Sequence, residues 1–477
     1  MHRHTKIIAT LGPAVADKPS IRALVDAGMD VARLNFSHGD HEFHRALAGW
    51  VRQAAREAGR VVAILQDVQG PKLRVGEFPS GAIRLKKGDQ VHLVAGSELG
   101  ERDVIPVGYD QLLTDVLPGH RVLLADGLIH LDVIGLSDSG LVAEVHTGGD
   151  LSDHKGVAFP DSVLSTESVT PKDEVDLAFG RELGVDYVAA SFVRSGDDVR
   201  RVSELSGGVP VIAKIELAQA YENLDNILEP SFGVMVARGD LGVQLPLERI
   251  PLIQADILRR TNAAGRISIT ATEMLESMTK SPRPTRAEVT DVATAVIAGT
   301  DAVMLSGETA VGDYPAQAVA AMAEICRVVE EDTLSDRGHH PIPFVGDGNT
   351  VASAVAQAAT EVAVNLGATA IVAFTESGNT ARLISKYRPE GRMIAFSPNE
   401  ATLRRMALFW GVFPHEFERC DYTDDEMAAA SSILESEGLA ASGDTVVMVA
   451  GVPPNLQAST NLLKVQVIGD HPGGFGS

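Results

Sequence analysis

Cysteine is almost missing: Cys326 and Cys420 are the only two in 477 residues. Two thiols can build neither a disulfide framework nor a zinc-thiolate site, and free thiols in a reducing compartment are expected. Basic residues are short as well. Lys and Arg number 41 against 64 Asp and Glu, for a formal net charge of −23. A surface this acidic repels phosphate backbones and anionic lipid, which argues against nucleic-acid and membrane partners. An anionic ligand must then meet a local basic cluster that works against the global field. No apolar run approaches the ~18 residues of a membrane span. The opening stretch from Met1 to Thr10 has no apolar signal core, so a soluble, cytoplasmic protein is expected. Low-complexity tracts and short repeats are also lacking. What is present is globular: hydrophobic residues make up 45% and charged residues 22%, as in a packed core under a charged surface. The length allows about three domains at ~150 residues each.

Short apolar runs recur, each ending in polar residues and followed by an Ala/Leu-rich helical stretch. They are Ile7–Thr10, Val31–Asn35, Val61–Leu65, Tyr187–Ser191, Val211–Ile215, Gly233–Ala237, Ile267–Ala271 and Ala302–Leu305. Strands alternating with helices imply a parallel sheet, and eight such units predict an α/β fold closed as a (β/α)8 TIM barrel. The stretch 71–167 reads differently. Alternating segments such as Val91–Val94 and Ile129–Val133 are punctuated by Gly88-Asp89, Pro118-Gly119 and Gly148-Gly149, which predicts an inserted small β-barrel domain. Removing it leaves 1–70 and 168–337 for the barrel, close to the ~250 residues typical of that fold. Composition turns to linker around Asp336–Pro341. Beyond it, Ala370–Phe374, Met393–Phe396 and Val446–Val449 read as buried strands of a C-terminal α/β domain over 338–477.

Barrel enzymes carry their chemistry at the C-terminal ends of the strands. Reading those ends in order gives Thr10; Arg33 with Asn35 and Ser37; Asp67 with Lys72 and Arg74; and Ser191. Then come Lys214 with Glu216, Arg238 with Asp240, Thr272 with Glu273, and Ser306 with Glu308. A few carboxylates among cations suit Mg2+, which keeps positions open for substrate oxygens and water. Arg and Lys on the same face suit a phosphoryl group and its transition-state charge. The residues alone thus point to metal-assisted chemistry on a small phosphorylated anion. His38, His41 and His44 lack the spacing of a zinc helix. Of these, His41 and His44 read as surface or packing residues, and Met274 and Met278 as helix packing.

These residues lie in longer blocks. Thr5-Lys6-Ile7, Val31-Ala32-Arg33-Leu34-Asn35-Phe36-Ser37-His38-Gly39 and Ala213-Lys214-Ile215-Glu216 resemble pyruvate kinase. So do Met235–Gly242, Met274–Met278, Pro284–Val289 and Val303–Ala310, all in the right order. The resemblance implies transfer of the phosphoryl group of phosphoenolpyruvate to ADP, giving pyruvate and ATP. It implies Glu216 and Asp240 as ligands of Mg2+ (or Mn2+), Lys214 as the cation that stabilises the phosphoryl in flight, and Arg33 as a phosphate holder. Gly239 and Asp240 would face the substrate carboxylate. Thr272 would lie against the substrate and, with Ser306, on the proton path to the enolate methylene. Asn35, Ser37, His38 and Arg74 fall at nucleotide-side positions, and Lys155 at the lysine a lid brings over the nucleotide. A homotetramer is implied as well.

The chain departs from the commoner pattern in three places. After the third strand it reads Asp67-Val68-Gln69-Gly70-Pro71-Lys72-Leu73-Arg74-Val75, with Lys72 where many family members have glutamate. That glutamate accompanies a K+ requirement, the ion being held by groups corresponding to Asn35, Ser37, Asp67 and the carbonyl of Val68. A fixed ammonium at Lys72 repels a second cation nearby, so the resemblance is to the K+-independent branch. Glu273 replaces a usual glutamine and adds a carboxylate near the site. In the C-terminal part, Thr375, Ser377, Gly378, Asn379 and Thr380 suit an effector phosphate. The later loop, Gly451–Gln457, lacks basic residues, which favours AMP or a sugar monophosphate over a bisphosphate. The competing readings are a Mg2+-dependent pyruvate-enolate lyase or aldolase on the same barrel, and a non-catalytic regulatory relative.

Overall fold

A computed structural model describes residues 3–96, 99–137, 140–335, 350–452 and 460–469. The expected linker at 336–341 and residues 453–457 of the later loop lie outside the described residues. Eight parallel strands close into a barrel: Lys6–Leu11, Val31–Asn35, Ala63–Asp67, Tyr187–Ala190, Val211–Ile215, Gly233–Ala237, Ile267–Ala271 and Ala302–Leu305. Their near-continuous apolar composition follows from burial on both faces. Ile8, Leu65, Ile212, Met235 and Ile269 are fully buried. The third strand runs two residues later than its apolar run, because the buried polar pair Gln66 and Asp67 completes it. Polar residues at a strand end are invisible to a count of hydrophobic runs.

Between the third and fourth barrel strands the chain forms a six-stranded sheet and a separate two-stranded one. The strands include Gln90–Ala95, Ile129–Ser137 and Gly140–Thr147, around a core containing Phe78, Leu93, Ile105, Leu131 and Ala143. The C-terminal sheet has five strands in the order Val412–Glu416, Arg392–Ser397, Ala370–Phe374, Thr445–Ala450 and Leu462–Val467. All pairings are parallel except the last. The sequence missed both edge strands. Pro414, His415 and Glu416 interrupt one, and Lys464 and Gln466 the other, as edge strands tolerate. Among the described residues no helix is long and apolar enough to cross a membrane.

The N-terminal ends of the barrel strands are anchored to the C-terminal domain. Asp301, just before the eighth strand, pairs with Lys386 at 2.5 Å and Arg388 at 2.9 Å, all three buried. Burial opposes the Asp301 charge, but Lys386 and Arg388 outweigh it and hold this carboxyl below the usual range. Asp186, before the fourth strand, pairs with Arg404 and Arg52, each at 2.8 Å. The buried Lys6 ammonium donates to the carbonyl of Val412 at 2.7 Å. This leaves the opposite, C-terminal strand ends for chemistry.

The segment leaving the second strand is fixed by stacked rings. His44 stacks on Phe36 with centroids 4.1 Å apart, and His41 on Phe179, also at 4.1 Å. His41 Nε2 lies 2.7 Å from Asp176, and His44 Nε2 lies 2.9 Å from the carbonyl of His38. These are packing contacts, in line with the sequence reading of both histidines.

Two predictions follow from these contacts. Asp301→Ala strands two buried cations and should destabilise the fold by roughly 3–5 kcal/mol, read as a lowered denaturation midpoint; an unchanged midpoint refutes the anchoring role. Burial pushes the His44 imidazole below the ordinary histidine value, with the His38 carbonyl opposing only in part. A histidine lowered on folding stabilises fully above its unfolded pKa of about 6.5. That contribution is lost as the pH falls through the folded value. NMR titration of the ring should find it neutral below the pH at which a free histidine charges.

Candidate active site

The fifth barrel strand ends Lys214-Ile215 and is followed at once by Glu216, so two side chains of opposite charge leave the barrel rim one turn of pleat apart. The Lys214 ammonium lies 2.8 Å from Glu216 Oε1, 3.3 Å from Asp67 Oδ1 and 2.7 Å from Ser191 Oγ. Asp67 in turn receives Arg33 Nε at 2.7 Å. Arg33 Nη1 donates to Thr10 Oγ1 at 2.9 Å, and that hydroxyl donates to the carbonyl of Leu305 at 2.8 Å. One polar chain therefore crosses the strand ends, from the eighth strand through the first, second and third to the fifth. Arg33, Asp67 and Glu216 are all buried.

The electrostatics follow from that burial. Desolvation opposes the Lys214 charge, but Asp67 and Glu216 outweigh it and hold the ammonium above the ordinary lysine range. Desolvation likewise opposes Asp67, and Lys214 and Arg33 outweigh it, so this carboxyl sits below the usual range. Glu216 goes the other way. Burial, reinforced by the nearby charge of Asp240, raises it although Lys214 pairs with it. Its second oxygen, Oε2, accepts the backbone N–H of Phe192 at 2.6 Å.

Asp240 lies in the first turn of the helix Arg238–Gln244, which starts directly after the sixth strand. Arg238 ties that turn down by donating to the carbonyls of Ala271 and Thr272 and pairing with Asp291 at 2.5 Å. The amide of Gly239 donates to Thr272 Oγ1 at 2.9 Å, so it already has a partner that a substrate carboxylate would have to displace. Thr272 and Glu273 both have positive φ, 66° and 52°, a strained bend for side-chain-bearing residues. Glu273 is exposed. Lys72 stands 3.6 Å from Asp240 Oδ1. Glu216, Asp240, Lys72 and Phe192 line one cleft whose other wall is the inserted sheet, through Leu123, Val157 and Phe159.

Of the other expected site residues, Asn35 is the register partner of Asp67 on the neighbouring strand, and Arg74 bridges Gly156 in the wall of the same cleft. Asn35 Oδ1 accepts the amide of Ser37 at 3.2 Å, and His38 follows, exposed. Arg74 and Lys155 are neighbours, because Arg74 bridges Gly156 and the amide of Val75 donates to the carbonyl of Lys155 at 2.9 Å. Arg74 Nη1 donates to the carbonyl of His154, and the Lys155 side chain is exposed. Ser306 is half-buried, and its amide donates to Glu308 Oε2 at 2.7 Å. Glu308 also accepts the amide of Leu275 at 3.0 Å. Its carboxylate is therefore spent on holding two loops together.

The C-terminal loop Thr375–Thr380 is far along the chain and built locally. Thr375 Oγ1 accepts the amide of Gly378 at 2.9 Å, and Gly378, with φ of 87°, precedes the helix Asn379–Lys386. Asn379 Oδ1 accepts Arg382, and Thr380 shares a hydroxyl contact with Thr460. Glu376 in the same loop accepts from Asn399 and pairs with Arg419. Burial, with Glu376 nearby, pushes Glu426 up to about 7.

The sequence reading named Ser191 only as a strand end and did not see Phe192 at all. A serine closing an apolar run was the available signal for the first. A backbone N–H leaves no trace in a sequence.

Comparison with known proteins identifies the family. A family model described as pyruvate kinase, barrel domain, matches residues 2–319, and one described as pyruvate kinase, alpha/beta domain, matches residues 353–466. A pyruvate kinase of Geobacillus stearothermophilus is 44% identical over 98% of this chain and 81% of its own length. That of Corynebacterium glutamicum is 42% identical over 98% of both chains. That of Clostridium acetobutylicum is 39% identical over 97% of this chain and 99% of its own. Matches this deep, covering the barrel and the C-terminal sheet in the order in which the chain folds them, make this chain a member of the pyruvate kinase family.

Proposed function

We propose that this enzyme transfers the phosphoryl group of phosphoenolpyruvate to ADP, forming pyruvate and ATP, with Lys214, Glu216 and Asp240 at the centre of the step. The observation that carries the reading is the Lys214 ammonium buried between Glu216 and Asp67, beside a cleft that also holds Asp240. Two converging carboxylates, one of them raised by burial and by the other's charge, fit a divalent cation and leave it open positions. Glu216 and Asp240 would hold Mg2+, which supplies charge neutralisation for the transferring phosphoryl group. Lys214 faces the developing charge with a cation that stays protonated at any working pH. Arg33, held by Thr10 and Asp67, has remaining guanidinium N–H groups for a phosphate oxygen. The backbone amides of Gly239 and Asp240 orient the carboxylate end of the substrate, and Thr272, lying against the substrate, sits with Ser306 on the proton path to the enolate methylene. ADP would lie along Asn35, Ser37, His38, Arg74 and Lys155. The pairing of Arg74 with the 154–157 segment supports that grouping, since it puts two cations at the throat between barrel and inserted sheet.

Under this reading, 1–70 and 168–337 form the catalytic domain, 71–167 the lid and 338–477 a regulatory and assembly domain, in a cytoplasmic homotetramer. The hydroxyls of Thr375, Ser377 and Thr380, with Gly378 and Asn379, would take a monophosphate effector such as AMP or a sugar phosphate. The carboxylate of Glu376 in that loop argues against a second phosphate. Lys72 puts a fixed ammonium beside Asp240, paired there rather than with Asp67 of the expected ion site, so in this reading activity without K+ rests on the added positive charge and not on occupation of the ion's position.

Pyruvate formation from phosphoenolpyruvate, ADP and Mg2+ tests the assignment, with and without K+ at constant ionic strength. Full activity without K+ is expected; pyruvate released without ADP would overturn the kinase reading. Lys214→Met should lower kcat by about a hundred- to a thousandfold, the usual cost of one transition-state charge partner. Lys72→Glu should make the rate depend on added K+; a variant that stays K+-independent refutes the role of Lys72.

A further inference from the structure

We propose that Ser191 is a positioning residue for phosphoryl transfer: its hydroxyl, anchored on the carbonyl of Val68, directs the Lys214 ammonium. The inference rests on the reading of Lys214 as the cation that meets the transferring phosphoryl group. Ser191 is buried at 4% exposure and directly follows the fourth strand, Tyr187–Ala190. Its Oγ lies 2.7 Å from the carbonyl oxygen of Val68 and 2.7 Å from Lys214 Nζ. A hydroxyl has one proton. The short contact to Val68 uses it, since Asp67 Oδ1 is farther away at 3.4 Å. The lone pairs of Ser191 are therefore left for the ammonium.

Lys214 has three N–H groups and three acceptors: Ser191, Glu216 and Asp67. Two of these are carboxylates, whose attraction is strong but weakly directional. The neutral hydroxyl holds the third N–H out of the line between them. Without it, the ammonium is positioned by Glu216 and Asp67 alone, and one of its N–H groups loses its acceptor.

The backbone at this turn is shaped for the same task. Phe192, the next residue, has φ of 54°, a left-handed conformation unusual for a phenylalanine. That conformation accompanies the 2.6 Å hydrogen bond from its N–H to Glu216 Oε2. Consecutive residues 191 and 192 thus hold both functional groups of Lys214-Ile215-Glu216. Gly70 makes room for them: a Cβ there would come within 3.0 Å of the Ser191 carbonyl oxygen and 3.1 Å of its Cβ. Gly70 lies two residues after Val68, so one loop both anchors the hydroxyl and leaves space for the turn.

The test measures two reactions of one variant. Ser191→Ala should lower kcat for pyruvate formation by about 10- to 100-fold, the usual cost of losing a supporting partner of a catalytic group. The KM for phosphoenolpyruvate should stay within about twofold, because the defect lies in the transition state rather than in binding. Exchange of pyruvate methyl protons with deuterium, followed by NMR with Mg2+ and inorganic phosphate, should also stay within about twofold of wild type. That reaction moves no phosphoryl group. Ser191→Thr, which keeps the hydroxyl, should recover most of the lost rate. Wild-type kcat in Ser191→Ala overturns the proposal. So does an equal loss of transfer and exchange, the mark of general damage to the site. Wild-type enzyme that makes no ADP-dependent pyruvate defeats the kinase reading itself, before any variant is compared.

Discussion

The buried ammonium of Lys214 is the constraint around which the rest of this active site is arranged. Removing a charge of this kind from water costs several kcal/mol, and a low-dielectric site tolerates it only when every donor finds an acceptor. Lys214 meets Glu216, Asp67 and Ser191, and Asp67 is shared with Arg33, which is itself held by Thr10. Five neighbouring barrel strands contribute to that circuit, so it exists only when they stand side by side in register. The circuit leaves Glu216 raised and facing Asp240 across the cleft.

The two ends of the barrel are used for opposite purposes. At the N-terminal ends of the strands, charges are consumed by structure. Asp301 takes Lys386 and Arg388, Asp186 takes Arg404 and Arg52, and Lys6 reaches the carbonyl of Val412. All but the Arg52 contact join the barrel floor to the C-terminal domain, through ion pairs and the Lys6 hydrogen bond. Breaking one partner of such a pair is costly, so this face is a poor place for movement. At the C-terminal ends, the loops carry strained residues at Phe192, Thr272 and Glu273. The strain lies where groups must be aimed at a ligand.

Several residues in the blocks that carry the family resemblance serve the scaffold and not the reaction. Glu308 bonds the amides of Ser306 and Leu275, tying the eighth-strand loop to the seventh. Glu288 closes a capping box with Thr285 and also accepts from Ser277. Arg238 locks the turn that presents Asp240. A negative charge in such a block is therefore no sign of metal binding until its partners are known. The overall charge of −23 is offset locally, because Arg33, Lys214 and Lys72 stand against Asp67, Glu216 and Asp240.

Sequence by itself determined the barrel, because strands buried on both faces must be apolar throughout and eight such runs are plain to read. It also determined which strand ends carry charge, a list that holds Arg33, Asp67, Lys214, Glu216 and Asp240 together with scaffold residues such as Arg238 and Glu308. It could not reveal the edge strands Val412–Glu416 and Leu462–Val467, whose exposure lets proline and charge interrupt the pattern. Only the tertiary structure decided how the charged residues pair. That depends on the register of neighbouring strands and on barrel closure, which bring Asp67 between Arg33 and Lys214 across 147 positions of chain. It alone decided that Lys72 faces Asp240, that Gly239 is engaged by Thr272, and that Ser191 and Phe192 hold Lys214 and Glu216. These are distances of a few ångströms between residues far apart in the chain, set by packing that no local pattern encodes.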